Sequence, residues 1–273
     1  MIIYRKANSS DFCVLKEVWL TCFDDTNEAV ELFFDNAANY EAYCAEDNGK
    51  AVSALYLIRT GLNNERAHYL CGASTLPAYR RRGIMAELIK YALNESVKDG
   101  DKYSLLLPAN QGLYSFYEKL GYKPKCSCVK YIFSRKELKQ KASYCKLDNI
   151  LDYETMQSRC FKRDFMFLSG SFIEFAADYY KLYGTKCVRN NSGFAFFEEN
   201  GDTAEVFYSC YSDFSSLARL MIDSTGADHF VFTDKAGNEQ TKDFIRMTYG
   251  MIKPLCGDKD FDGNDVYIGL TLN

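Results

Sequence analysis

Ser74-Thr75-Leu76-Pro77-Ala78-Tyr79-Arg80-Arg81-Arg82-Gly83-Ile84-Met85-Ala86 joins a strand to a helix through a basic turn. The apolar, strand-like run before it ends at Pro77. A helix begins at about Gly83 and places Met85, Leu88, Ile89, Ala92 and Leu93 on one face. Free N–H groups at a helix start, the helix dipole and three guanidinium groups all favour bound phosphate. Gly83 is the one residue there that lets a bulky diphosphate approach the backbone. The segment reads as a binding loop for a ligand that contains a pyrophosphate.

The loop lacks the lysine of a P-loop and the Gly-x-Gly-x-x-Gly turn of dinucleotide folds. It resembles motif A of the GCN5-related N-acetyltransferase (GNAT) family, Gln/Arg-x-x-Gly-x-Gly/Ala, between a fourth strand and a third helix. The motif falls on Arg80-Arg81-Arg82-Gly83-Ile84-Met85, and Met85 departs from the usual Gly or Ala. Downstream, Tyr103–Leu107 reads as a short buried strand. Asn110 follows, then a helix from about Gln111 to Leu120 that Gly121 stops. The run Asn110…Phe116-Tyr117-Glu118-Lys119-Leu120-Gly121-Tyr122 resembles the family's motif B. The two motifs lie in the family's order and on its elements.

The resemblance implies an α+β fold, with a mixed, mostly antiparallel sheet flanked by helices. It implies acetyl-CoA as co-substrate and an acceptor amine, a small molecule or a lysine side chain, in a monomer or a homo-oligomer. Backbone groups of Ser74, Thr75 and Leu76 would hold the pantetheine arm and acetyl carbonyl. Arg80, Arg81, Arg82, Gly83, Ile84 and Met85 would hold the pyrophosphate, and Asn110 the cofactor arm. Tyr117 would serve as general acid toward the sulfur, with Tyr114 one turn earlier as runner-up. The reaction is read as direct attack by the amine, since no Cys/His pairing argues for an acyl-enzyme. A base is not visible in the sequence: Asp24, Asp25, Glu28 or a water chain could serve, and His68 reads as a strand residue without a role.

The chain has 273 residues, enough for about two domains, and 47% of them are hydrophobic. No apolar run approaches the ~20 residues that span a bilayer. Met1-Ile2-Ile3-Tyr4-Arg5-Lys6 lacks the apolar core of a signal peptide, so a cytoplasmic location is expected. The 11 cysteines form no Cys-x-x-Cys pair and there are only two His, so no metal site is expected and the thiols read as small core hydrophobes. A net charge of −4 argues against nucleic acid as main partner. From Asp24 to Asp47 the chain carries Asp24, Asp25, Glu28, Glu31, Asp35, Glu41, Glu46 and Asp47 and no Lys or Arg. That run is either a solvated face or a rim that attracts a cationic amine.

Residues 1–134 read as the first domain, with strands at 2–6, 40–45, 51–58, 68–75, 103–107, 122–126 and 128–133. Its helices fall at 11–23 and 27–36, after Gly83, and at 111–120. Asn48-Gly49 marks a hairpin. The lysine-rich stretch 135–146 reads as a linker. Residues 147–273 repeat helix, helix, three strands, helix, strand, followed by strands near 244–252 and 266–272. This is a degenerate second GNAT-like copy without a cofactor motif: Cys210-Tyr211-Ser212-Asp213-Phe214-Ser215 stands where the basic turn would be, with no Gly and no Arg.

The two-domain form is similar to the enhanced-intracellular-survival branch, whose members acetylate aminoglycosides and lysine side chains, though the chain is shorter than that branch's three-part layout. An apolar strand runs up to the terminal Asn273, whose carboxylate could act as base or amine anchor. Two alternatives stand beside the enzyme reading. One is a CoA-binding sensor or subunit that does not catalyse. The other is aminoacyl transfer of the peptidoglycan-bridge type, against which the basic loop and acidic net charge weigh.

Overall fold

The computed structural model describes residues 1–36, 39–143, 150–256 and 265–272. The Asn273 carboxylate therefore lies outside the described residues. The first half forms β1 (Ile2–Lys6), α1 (Phe12–Cys22), α2 (Asn27–Asp35), β2 (Tyr40–Asp47), β3 (Lys50–Leu62), β4 (Glu65–Thr75), α3 (Ile84–Lys98), β5 (Tyr103–Leu106) and α4 (Gln111–Glu118). Local chemistry accounts for the boundaries. The Asn48-Gly49 turn places both residues at positive φ, 50° and 79°, which matches the twist of a two-residue hairpin between β2 and β3. The Thr26 hydroxyl accepts from the Ala29 N–H at 3.1 Å and starts α2.

The second half forms β6 (Ser127–Ser134), α5 (Arg135–Lys141), α6 (Tyr153–Cys160), β7 (Met166–Leu168), α7 (Gly170–Lys181), β8 (Lys186–Arg189), β9 (Gly193–Asn200) and β10 (Thr203–Tyr211). It continues with α8 (Phe214–Ser224), β11 (His229–Asp234), β12 (Ile245–Thr248) and β13 (Met251–Pro254). From α6 to β11 this repeats the helix–helix–strand–strand–strand–helix–strand order of the first half, with the short β7 inserted. The stretch expected as a linker is helical over α5. It opens with a capping box in which Ser134 and Glu137 satisfy each other's backbone groups.

The chain divides into two compact units. One holds Met1–Pro124 and β13, with sheet order β1-β2-β3-β4-β5-β13. The other holds Lys125–Gly250 and the segment from 265, with order β12-β6-β11-β10-β9-β8. Along each path one neighbouring pair is parallel, β4 with β5 and β10 with β11, and the rest are antiparallel.

The boundary expected after residue 134 is replaced by an exchange of strands. β6, read as the last strand of the first domain, pairs with β11 and β12 in the second sheet. Its Val129, Tyr131 and Phe133 pack there with Phe214, Leu217 and Phe232. Tyr131 stacks on Phe232 with centroids 5.6 Å apart. In return β13 pairs with β5, Met251 opposite Leu106. The single strand expected over 244–252 is thus two, which separate around Gly250 at φ 106° and enter different sheets. The segments expected as strands at 122–126 and 266–272 make only isolated bridges at Lys123, Cys126, Val266 and Tyr267.

No helix among the described residues is long and apolar enough to cross a membrane.

Candidate active site in the first unit

β4 and β5 pair over only three rungs, Ala67 with Tyr103, His68 with Ser104 and Tyr69 with Leu105. β4 then runs on to Thr75 without a partner on that side, so the two parallel strands part and leave a fork. A β-bulge shapes the free arm. Between the pairs Tyr56–Cys71 and Ala54–Ser74, Gly72 and Ala73 oppose the single residue Leu55. Gly72 sits at φ 59°, and a Cβ there would meet Tyr56 Cδ2 at 2.7 Å and Trp19 Cζ3 at 2.8 Å. Both constraints demand glycine. The sequence reading missed this residue, although an isolated glycine within a strand pattern is the signal of a bulge.

Beyond the bulge the backbone groups are largely assigned. The Leu76 N–H donates to the Val52 carbonyl at 3.0 Å, and the Tyr79 N–H donates to the Leu76 carbonyl at 2.9 Å. Leu76 therefore has no spare backbone N–H. The Ser74 carbonyl accepts from Ser53 Oγ at 2.7 Å. Ser53 Oγ also lies 2.8 Å from Thr75 Oγ1, so this serine, which the sequence reading passed over, fixes the arm's end. Antiparallel alternation turns the Thr75 N–H away from β3, toward the fork. Of the three expected residues, Thr75 is the one placed to present an N–H to a ligand.

The basic turn follows. Pro77–Tyr79 makes one 3-10 turn, Arg81 adopts φ 62°, and Gly83 caps α3 at φ 76°. A non-glycine residue in the left-handed region is held only when its surroundings impose it. Arg80 Nε donates to the Thr75 carbonyl at 2.9 Å, tying the turn to the strand. The Arg82 guanidinium lies 5.0 Å from the Tyr79 ring centre. No side chain caps the N-terminus of α3. Around the position of a Gly83 Cβ no protein atom lies within 4 Å. The first N–H groups of the helix, including those of Ile84 and Met85, thus open onto free space. The Met85 side chain packs against the core cluster that holds Leu88, Ile89 and Tyr117.

α4 supplies the remaining groups. Asn110 is its N-cap, yet the amide makes no capping bond and is exposed. Tyr117 is 7% exposed and packs edge-on to Phe116 and Tyr122. Its hydroxyl makes no hydrogen bond among the described residues. Burial pushes the phenol up to about 12, with a smaller contribution from Cys71. Tyr114 is half-buried one turn before it.

The acidic run is not one rim. Glu31 pairs with Lys16, Glu41 with Lys6 and Arg59, and Glu46 with Arg5. Asp47 accepts from Tyr79 Oη at 3.2 Å, and Asp25 accepts from Trp19 Nε1 at 2.7 Å. Asp24, Glu28 and Asp35 stay exposed without an ion pair among the described residues.

Comparison with known proteins places this geometry. The family model of the acetyltransferase (GNAT) domain matches residues 3–124. No curated protein matches. Solved structures match over nearly the whole chain. A conserved protein from Enterococcus faecalis is 13% identical, with a TM-score of 0.74 and coverage of 93% of this chain and 73% of that one. A GCN5-related N-acetyltransferase from Anabaena variabilis is 14% identical, with a TM-score of 0.73 and coverage of 94% and 73%. Eis1 from Mycobacterium abscessus is 13% identical, with a TM-score of 0.67 and coverage of 93% and 74%. Residues 3–124 match the acetyltransferase (GNAT) domain, and the chain as a whole shares the fold of these solved structures.

Proposed function

We propose that the first unit transfers acetyl from acetyl-CoA to a primary amine by direct attack, and that the second unit holds no cofactor. The observation that carries the reading is the conjunction of an open β4–β5 fork with an uncapped α3 N-terminus beside Arg80, Arg81 and Arg82. No protein atom lies within 4 Å of a Gly83 Cβ position, so the turn leaves the helix start accessible to a diphosphate, and a side chain there would stand in its way. Gly83, Ile84 and Met85 would hold the pyrophosphate with their N–H groups, the three arginines would neutralise it, and Asn110 would meet the pantetheine arm. The cofactor, when bound, supplies an activated thioester carbonyl. The Thr75 N–H is the donor aimed where that carbonyl's oxygen would gain charge.

Tyr117 holds its proton at neutral pH, because its pKa lies far above that range. It also lies above the ~8.5 of an alkyl thiol, so the phenol does not simply surrender a proton to the leaving sulfur. It donates a hydrogen bond to it, and gives that proton to the sulfur as the C–S bond breaks while taking one from the nitrogen, which carries an extra proton once the neutral amine has bonded to the carbonyl carbon. The acceptor is a small cationic or lysine-like amine. Asp24, Glu28 and Asp35, exposed and unpaired by cations among the described residues, support a positive charge on it.

Calorimetric titration of acetyl-CoA into wild type and Gly83→Glu tests the reading. Binding to the wild type that the variant loses supports it, and turnover with a panel of amines then identifies the acceptor. A wild type that does not bind acetyl-CoA overturns it.

A further inference from the structure

His68, which the sequence presents as an ordinary strand residue, is fully buried and bonded at both ring nitrogens. Nδ1 lies 2.7 Å from Asp101 Oδ2 and Nε2 lies 2.8 Å from Ser104 Oγ. Ser104 Oγ is in turn 2.6 Å from Tyr122 Oη. A neutral ring protonated on Nδ1 satisfies all three contacts: the Asp101 carboxylate then accepts from Nδ1–H, Nε2 from the Ser104 hydroxyl, and Ser104 Oγ from the Tyr122 hydroxyl. All four residues are buried. Ser104 is enclosed and committed on both sides, so the Asp–His–Ser order here is not a nucleophile's.

The members come from four places. His68 stands on β4 and Ser104 on β5. Asp101 lies in the turn from α3 to β5, and its N–H donates to the Ser96 carbonyl of α3 at 3.0 Å. Tyr122 follows α4, and its N–H donates to the Tyr117 carbonyl at 3.1 Å. These are the elements that carry the Thr75 arm, the opposite arm, the phosphate-facing helix and the tyrosine. The His68–Ser104 pair is the middle of the three rungs that hold β4 to β5 before they part.

We infer that His68 is a positioning residue: through Asp101, Ser104 and Tyr122 it braces the root of the β4–β5 fork and so sets the placement of the thioester arm relative to Thr75 and Tyr117. This rests on the acetyl-transfer reading of the same site. Three backbone rungs alone are a thin hinge, and a chain of buried hydrogen bonds with no spare donor adds stiffness that an apolar contact lacks. The phosphate turn lies beyond the free end of β4, so the brace acts on the arm of the cofactor and not on its nucleotide.

The test uses two probes, acetyl-CoA and 3′-phospho-ADP, which is the nucleotide half of the cofactor. Both are titrated into wild type, His68→Leu, His68→Gln and Tyr122→Phe. The expected result is a roughly tenfold loss of acetyl-CoA affinity in His68→Leu, a smaller loss in Tyr122→Phe, and 3′-phospho-ADP affinity held within about twofold throughout. His68→Gln, whose amide can donate to Asp101 and accept from Ser104, recovers most of the loss. If His68→Leu does not fold, Tyr122→Phe, which removes only a terminal hydroxyl, carries the test. Equal losses for both probes, or no loss for either, overturn the positioning role while leaving the acetyl-transfer reading intact. Failure of acetyl-CoA to bind the wild type overturns both.

Discussion

The chain carries two versions of one strand–turn–helix, and they use their free helix terminus in opposite ways. In the first unit β4 leads through Arg80-Arg81-Arg82-Gly83 into α3, whose N-terminus no side chain caps. In the second, β10 leads through Tyr211-Ser212-Asp213 into α8, and the Asp213 carboxylate accepts from the Ser215 and Ser216 N–H groups at 3.2 and 3.1 Å. Burial raises this carboxyl, but the bonds from Ser216 and Ser215 hold it below its ordinary value. The protein's own anion occupies the place that the first unit leaves open. The strand ends differ as well. Where β11 ends, the buried Asp234 carboxylate accepts from Tyr131 Oη at 2.9 Å and also from Tyr211 Oη. A cavity of about 660 Å³ remains at this turn, lined by Tyr211, Asp213, Asn238 and Gln240 among others. One copy leaves its helix terminus uncapped; in the other a carboxylate already takes the terminal N–H groups.

The largest effect that would break the comparison is at Tyr117. Tyr117→Phe should lower kcat by about 10²–10⁴-fold with acetyl-CoA affinity nearly unchanged. Stopped-flow turnover set beside calorimetry checks this, and turnover equal to wild type would remove the catalytic role. Next comes Gly83→Glu. A carboxylate against the helix N-terminus should weaken acetyl-CoA binding by on the order of 10³-fold. Thermal stability should also fall, by the left-handed backbone penalty of ~1–2 kcal/mol, although the added side chain meets no protein atom within 4 Å.

The third concerns the buried carboxylate at the end of β11. Burial raises the Asp234 carboxyl to about 6 from 3.8, against the bonds from Tyr211 and Tyr131 that lower it. The folded state thus binds a proton more tightly than the unfolded one, so this group's contribution to stability falls as pH rises from about 4 to about 6. Relative to Asp234→Asn, the wild type should lose up to about 3 kcal/mol across that window. Urea unfolding of both proteins between pH 4 and 7 measures it, and a constant difference would contradict the buried charge. The smallest effect is at the closed turn. Asp213→Ala should cost ~1 kcal/mol of stability and leave acetyl-CoA stoichiometry at one per chain, since α8 has no arginine turn to replace the lost cap. A second bound equivalent would show that the cap alone keeps the two copies distinct.

Much of this contrast is legible in the residues. The arginines and Gly83, the Asp213 that replaces them, the Asn48-Gly49 hairpin and the span of α8 all follow from short-range chemistry: charge, positive φ, capping and helical period. Tyr117 is legible through the motif around it. Other features are not. Ser53 and His68 act through partners that stand apart in the chain, and their residue types say nothing of it; Gly72 signals a bulge but not the Tyr56 and Trp19 rings that crowd it. His68 meets Asp101 and Ser104 only because β4 and β5 are parallel neighbours. Glu31, Glu41 and Glu46 read as one acidic run with their neighbours until Lys16, Lys6, Arg59 and Arg5 arrive from other elements.

By itself the sequence determined the repeated element order, the arginine-rich glycine turn in one copy and its absence from the other, because each depends on residues a few positions apart. Only the tertiary structure decided that β6 and β13 change places, that the β4–β5 fork is braced by a histidine, and that Leu76 has no N–H to offer. A strand's alternation specifies which face it buries but not which edge it joins, and a hydrogen bond between distant residues exists only once the backbone has brought them together.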